Sequence, residues 1–112
     1  MKLLHLLSLE VFNLSEVVAG ERGLDRDVTW VNMMEILDSL EQLQPGELLI
    51  STGYGLADDS SLTSDIINRL NERRLAGIAI QPGYYISEIP ARMIEQANDL
   101  DFPIIRLQPK IT

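Results

Sequence analysis

The stretch Pro45-Gly46-Glu47-Leu48-Leu49-Ile50-Ser51-Thr52-Gly53-Tyr54-Gly55 decides the fold. Its apolar centre follows a Pro-Gly turn, the pattern of a buried strand, and Thr52-Gly53-Tyr54-Gly55 breaks it. Asp58, Asp59, Ser60 and Ser61 then offer N-caps with acidic charge suited to a helix start. Leu62, Ile66, Ile67 and Leu70 fall on one helical face, Arg73 and Arg74 occupy the last turn, and Gly77 closes it. The pattern repeats downstream. Ile78-Ala79-Ile80 is a compact strand, Gln81-Pro82-Gly83 a turn, and residues 87–90 open a second helix whose buried stripe is Ile89, Met93, Ile94, Ala97 and Leu100. Pro103-Ile104-Ile105-Arg106-Leu107 is a third strand. Strands apolar throughout and alternating with helices predict a mainly parallel β-α-β-α-β sheet with right-handed crossovers, hence an α/β fold.

Upstream the pattern is less regular. Residues 3–9 predict a short N-terminal helix. Glu16-Val17-Val18-Ala19 and Asp27-Val28-Thr29-Trp30-Val31 predict two short strands flanking the turn-rich Gly20-Glu21-Arg22-Gly23, and residues 36–43 a further short helix. The sequence has no internal repeat and no low-complexity tract. At 112 residues it is expected to be one domain over 1–112, with a single core, and its end at Pro109-Lys110-Ile111-Thr112 reads either as a domain boundary or as a cut within a longer parent protein.

Composition narrows the function. The net charge of -8 opposes phosphate backbones, and Arg73-Arg74 is too small a cationic cluster to read a groove, so no direct nucleic-acid binding is expected. No apolar run reaches the roughly 20 residues of a membrane span. Glu10, Asn13 and Glu16 follow the leucine-rich start too closely for a signal peptide, so a cytoplasmic location is expected. Without cysteine there is neither disulfide nor thiolate metal site.

Catalytic chemistry finds little support. His5, the single histidine, lies among leucines with no base, nucleophile or second ligand beside it, which leaves a Ser–His–Asp triad without its parts. Asp58-Asp59 has the hard oxygens a divalent cation takes, but the pair precedes a helix, and helix capping is the better explanation of it. Glu95 and Asp99, four apart on a helix, read as a solvated face. Neither metal nor cofactor is expected, and an enzyme would need a converging acid, base and metal set that these scattered carboxylates do not supply.

Binding is better served. Thr52-Gly53-Tyr54-Gly55 follows a parallel strand and precedes a helix, the place where open α/β sheets take ligands. It is neither a dinucleotide fingerprint, since Asp58 stands in place of the third glycine, nor a P-loop, since no lysine follows. A plain strand-to-helix turn accounts for the same residues. The candidates are Thr52, Gly53 and Tyr54 after the first parallel strand, and Gln81 and Gly83 after the second. Asp25 and Arg26 either shape the mouth or pin the loop: in Leu24-Asp25-Arg26-Asp27 the arginine ties down carbonyls or carboxylates, or is simply solvated. Trp30, the sole tryptophan, reads as a core or interface aromatic.

The run Val18-Ala19-Gly20-Glu21-Arg22-Gly23-Leu24-Asp25-Arg26-Asp27-Val28-Thr29-Trp30-Val31 resembles the N-terminal domain signature of PucR-like (purine catabolism regulatory protein-like) transcriptional regulators. Pro45 to Gly53 resembles that family's "GELLLTTG" segment, and Ala76-Gly77-Ile78-Ala79-Ile80 and residues 89–107 follow in the family's order. The likeness covers nearly all of the chain. A more distant one, to DRTGG-type regulatory domains, rests on the Leu-Asp-Arg and Pro-Gly-Glu elements. The resemblance implies a bacterial cytoplasmic regulator with a DNA-binding helix-turn-helix at a far C-terminal end that this sequence does not contain. It implies a response to a metabolite or nitrogen signal, often through self-association, so the expected partners are a second copy and a small-molecule effector. The alternative is a pure dimerisation scaffold without a small-molecule site.

Overall fold

The computed structural model describes residues 1–35, 40–54, 56 and 61–109, and of 61–64 the backbone alone. Apolar strand residues set the architecture. β3 (Glu47–Ser51), β4 (Gly77–Ile80) and β5 (Ile104–Arg106) lie side by side and parallel, with Leu48 opposite Gly77 and Ile78 opposite Ile104. β2 (Trp30–Met33) extends the parallel set beyond β3, Trp30 facing Glu47 and Met33 facing Ile50. β1 (Glu16–Ala19) closes the other side antiparallel to β5, giving the order β1-β5-β4-β3-β2. The expected α/β fold with a mainly parallel sheet is the fold observed.

α2 (Ser61–Glu72) and α3 (Ala91–Leu100) both cross one face. Ile66, Ile67 and Leu70 of α2 and Met93 and Ala97 of α3 pack there on Leu49, Ile78, Ile80 and Ile104, all buried. Leu48 faces the opposite way, into a smaller cluster with Leu3 and Phe12, which the short helix α1 (Leu3–Leu6) and the turn after it supply. The sheet is thus clothed by two long helices on one side and by the N-terminal segment on the other.

Several expectations shift. α1 is shorter than residues 3–9. The second strand begins at Trp30 rather than Asp27, because Asp27 bridges Lys2 and the Val28 amide donates to the Met1 carbonyl at 2.7 Å. α2 ends at Glu72, not at Gly77. Arg74 adopts the left-handed conformation with φ 61°, its amide returning to the Asn71 carbonyl and that of Leu75 to the Leu70 carbonyl. Gly77 instead opens β4, where an added Cβ would come within 3.3 Å of Leu3 and 3.0 Å of the Pro103 carbonyl oxygen. Pro90 caps α3 rather than entering its first turn. Trp30 is not a core residue: it is 67 % exposed on the outermost strand. Of the helix expected over 36–43, residues 40–42 form a single 3-10 turn and 36–39 lie outside the described residues, as do Gly55, the capping residues Asp58, Asp59 and Ser60, and 110–112.

Candidate functional site

Parallel strands all end on the same side, so the loops after β2, β3 and β4 meet at one rim. There Met33, Met34, Glu35, Ile50, Ser51, Thr52 and Gln81 surround an open depression of about 350 Å³. Glu35 organises it. Its carboxylate accepts the Ser51 hydroxyl at 2.8 Å, the Thr52 amide at 3.2 Å and the Thr52 hydroxyl. Ser51, itself buried, accepts in turn from the Gly53 amide at 3.0 Å. One acid after β2 therefore ties down the loop after β3. Gln81 binds across the next gap, its amide to the Ser51 carbonyl at 3.0 Å and its side chain to the Gln108 carbonyl at 3.2 Å.

Thr52 and Gln81 thus come together in the wall of the depression, as the sheet topology requires. Gly53 lies beside it, under Ile86: with φ 86° and an added Cβ only 2.8 Å from the Ile86 side chain, the position takes glycine for reasons of backbone and space. Tyr54 and Gly83 stand on the same rim outside the lining. Tyr54 meets Tyr85 edge to face with ring centres 5.0 Å apart, and the Gly83 amide closes a turn on the Ile86 carbonyl at 2.9 Å. Tyr54 follows β3 and Tyr84 and Tyr85 follow β4, so the three tyrosines of the chain, all exposed, share this rim.

Asp25 and Arg26 lie at the opposite end of the sheet. The Arg26 guanidinium donates to the Leu75 carbonyl and the Asn71 side chain at 2.9 Å and to the Leu100 carbonyl at 3.3 Å, and sits 5.2 Å over the Phe102 ring. It fastens the C-terminal ends of α2 and α3 to the loop after β1. Burial pushes its pKa below the usual arginine value, against the pull of the Asp101 and Asp25 carboxylates. The neighbouring glycines belong to the same junction. An added Cβ would come 2.1 Å from the Phe102 carbonyl oxygen at Gly20 and 2.0 Å from that of Asp101 at Gly23. The Gly-Glu-Arg-Gly-Leu-Asp-Arg run is therefore a packing device, where backbone meets backbone and one arginine satisfies the last carbonyl of α3, a carbonyl just beyond α2 and the Asn71 side chain.

Sequence reasoning passed over Glu35, Ser51, Met33 and Met34. No local pattern marks Glu35, whose partners lie on a neighbouring strand and are set by the β2–β3 register. Among the described residues no group of three or more His, Asp or Glu side chains is arranged to hold a metal ion, and no helix is long and apolar enough to cross a membrane.

Residues 5–112 match the purine catabolism regulatory protein-like family, PucR. The chain is 35 % identical over 111 residues to a purine catabolism regulatory protein of Bacillus subtilis (strain 168), covering 99 % of this chain and 21 % of that protein. It is 29 % identical over 90 residues to the transcriptional activator PmfR of Paenarthrobacter nicotinovorans, covering 80 % of this chain and 19 % of that one. The chain thus spans about a fifth of the length of these relatives. No solved structure matches it. With the family matched over all but the first four residues, and its signature accounted for by the Gly20–Arg26 junction, the chain belongs to the purine catabolism regulatory protein-like family.

Proposed function

We propose that this domain senses a small-molecule effector for a cytoplasmic bacterial transcriptional regulator of purine or other nitrogen-compound catabolism. The observation that carries the reading is the depression bounded by Glu35, Thr52 and Gln81 at the carboxyl ends of three parallel strands. Its volume of about 350 Å³ falls in the range that small ligands fill. Its walls combine apolar Met33, Met34 and Ile50 with the Glu35 carboxylate and the Gln81 amide, a mixture suited to a flat, polar-edged molecule. The family and the relatives' names supply the regulatory context, and DNA contact is assigned to a helix-turn-helix in another part of the parent protein.

Coupling follows from Glu35. A ligand that competes for this carboxylate, or packs on it, changes the tether between the loops after β2 and β3. It shifts the domain only as far as its affinity differs between the two loop arrangements. Self-association of the regulator through this domain completes the proposal.

Thermal-shift measurement of the chain against purine bases, their ring-opened catabolites and other nitrogenous metabolites tests the sensor. A true effector at about a hundredfold over its dissociation constant stabilises by about 2.7 kcal/mol, and Glu35→Ala or Thr52→Ala removes that response. If no compound raises the melting temperature, and a parent regulator carrying Thr52→Ala and Tyr54→Ala still regulates normally, the sensing role is lost.

A further inference from the structure

We infer that β2 is the edge at which a second copy of this chain docks, strand against strand and antiparallel, so that two sheets run into one. The inference rests on the self-association half of the proposed function and is independent of the effector.

β2 is hydrogen-bonded to β3 on one side and is last in the sheet order. Its outer row of backbone donors and acceptors points away from the sheet, and among the described residues no strand pairs with it. Proteins guard such edges with charge, proline, bulges or a covering segment. The opposite edge has these guards. β1 starts at the exposed Glu16, ion-paired to Arg106 at 3.5 Å, and a register shift between Val17 and Ala19 disrupts it. β2 reads Trp30-Val31-Asn32-Met33, without charge, proline or break in register. Trp30 is 67 % exposed, Val31 39 % and Met33 78 %. A straight, uncharged edge bearing exposed apolar side chains is a pairing template.

Charge and symmetry favour a second copy over a different partner. At a net charge of -8 two copies repel wherever acids face one another, so an uncharged strand is where they can meet, whereas a basic partner would be drawn to the acids instead. The nearest acid after the strand, Glu35, is engaged with Ser51 and Thr52. With one edge guarded and one open, pairing closes at two copies instead of propagating into a fibre. Side chains opposite one another across an antiparallel pair share a face, so the two-fold axis passes at Val31 or Asn32. With the axis at Asn32, each Val31 meets the other copy's Met33, and the apolar row on the Leu48 face runs on across both chains.

Sedimentation velocity of the 112-residue chain over a range of concentrations tests this, with Val31→Lys and Met33→Lys on the edge and Val11→Lys, at a site 81 % exposed and off it, as control. The expected result is a reversible dimer that each edge variant weakens at least about tenfold, a loss of about 1.4 kcal/mol, and that Val11→Lys leaves unchanged. A dimer indifferent to both edge lysines overturns the docking edge alone. A monomer at every concentration overturns self-association with it. Because the chain has no cysteine, Val31→Cys and Asn32→Cys give a second readout that does not depend on a buried lysine. Oxidation cross-links two copies at one of these positions, and failure at both overturns the inference.

Discussion

At the scale of the residue, Arg26 is a side chain that ties distant parts of the fold together. It joins Leu75 and Leu100 carbonyls, the Asn71 amide and the Phe102 ring, groups more than forty positions away along the chain. Arg26→Ala strands those acceptors and opens space beside Phe102, and the expected loss is about 2–4 kcal/mol in urea unfolding. Arg26→Lys keeps the charge but not the planar fork that reaches three acceptors, and recovers less than half of it. If the alanine variant unfolds within about 0.5 kcal/mol of the parent, as a surface change would, Arg26 is merely solvated. The arginine was visible in sequence as a tie to carbonyls or as a solvated charge. Which end of the sheet it serves was not, because its partners come from the far ends of α2 and α3.

At the scale of the element, the strands of the second half were legible because each is a short, fully apolar run between breakers, a pattern that burial on both faces imposes. Helix ends were less so. Gly77 looked like a stop signal, but the turn closes three residues earlier on Arg74, at φ 61°. A left-handed arginine costs roughly 1–2 kcal/mol relative to a right-handed one. Glycine relieves that cost but loses more backbone entropy on folding, so Arg74→Gly is expected to stabilise the chain by about 0.5–1 kcal/mol. An unchanged or lower melting temperature would show that the Arg74 side chain supplies more than its backbone costs.

At the scale of the molecule, an acidic body with one neutral edge makes pairing depend on salt in a stated direction. Raising ionic strength from about 0.1 M to about 1 M shortens the screening length from about 10 Å to about 3 Å. That weakens repulsion between two copies of charge -8 and leaves an apolar edge contact intact. Dimerisation is therefore expected to tighten with salt. Trp30, sole tryptophan and mostly exposed on β2, reports it directly: acrylamide quenching of its fluorescence falls as protein concentration rises. A dimer that salt loosens would be held by ion pairs elsewhere on the surface.

The sequence by itself determined the parallel β3-β4-β5 core, both long helices and the family, since these rest on apolar periodicity, turn residues and local motifs. It also brought Thr52 and Gln81 to a common rim, because residues that follow adjacent parallel strands must end on one side. Only the tertiary structure decided that Glu35 organises that rim, that Arg26 works at the other end, and that Trp30 lies open on an edge. Each of these depends on which strands are neighbours and in what register, and that is settled by the joint packing of the whole chain.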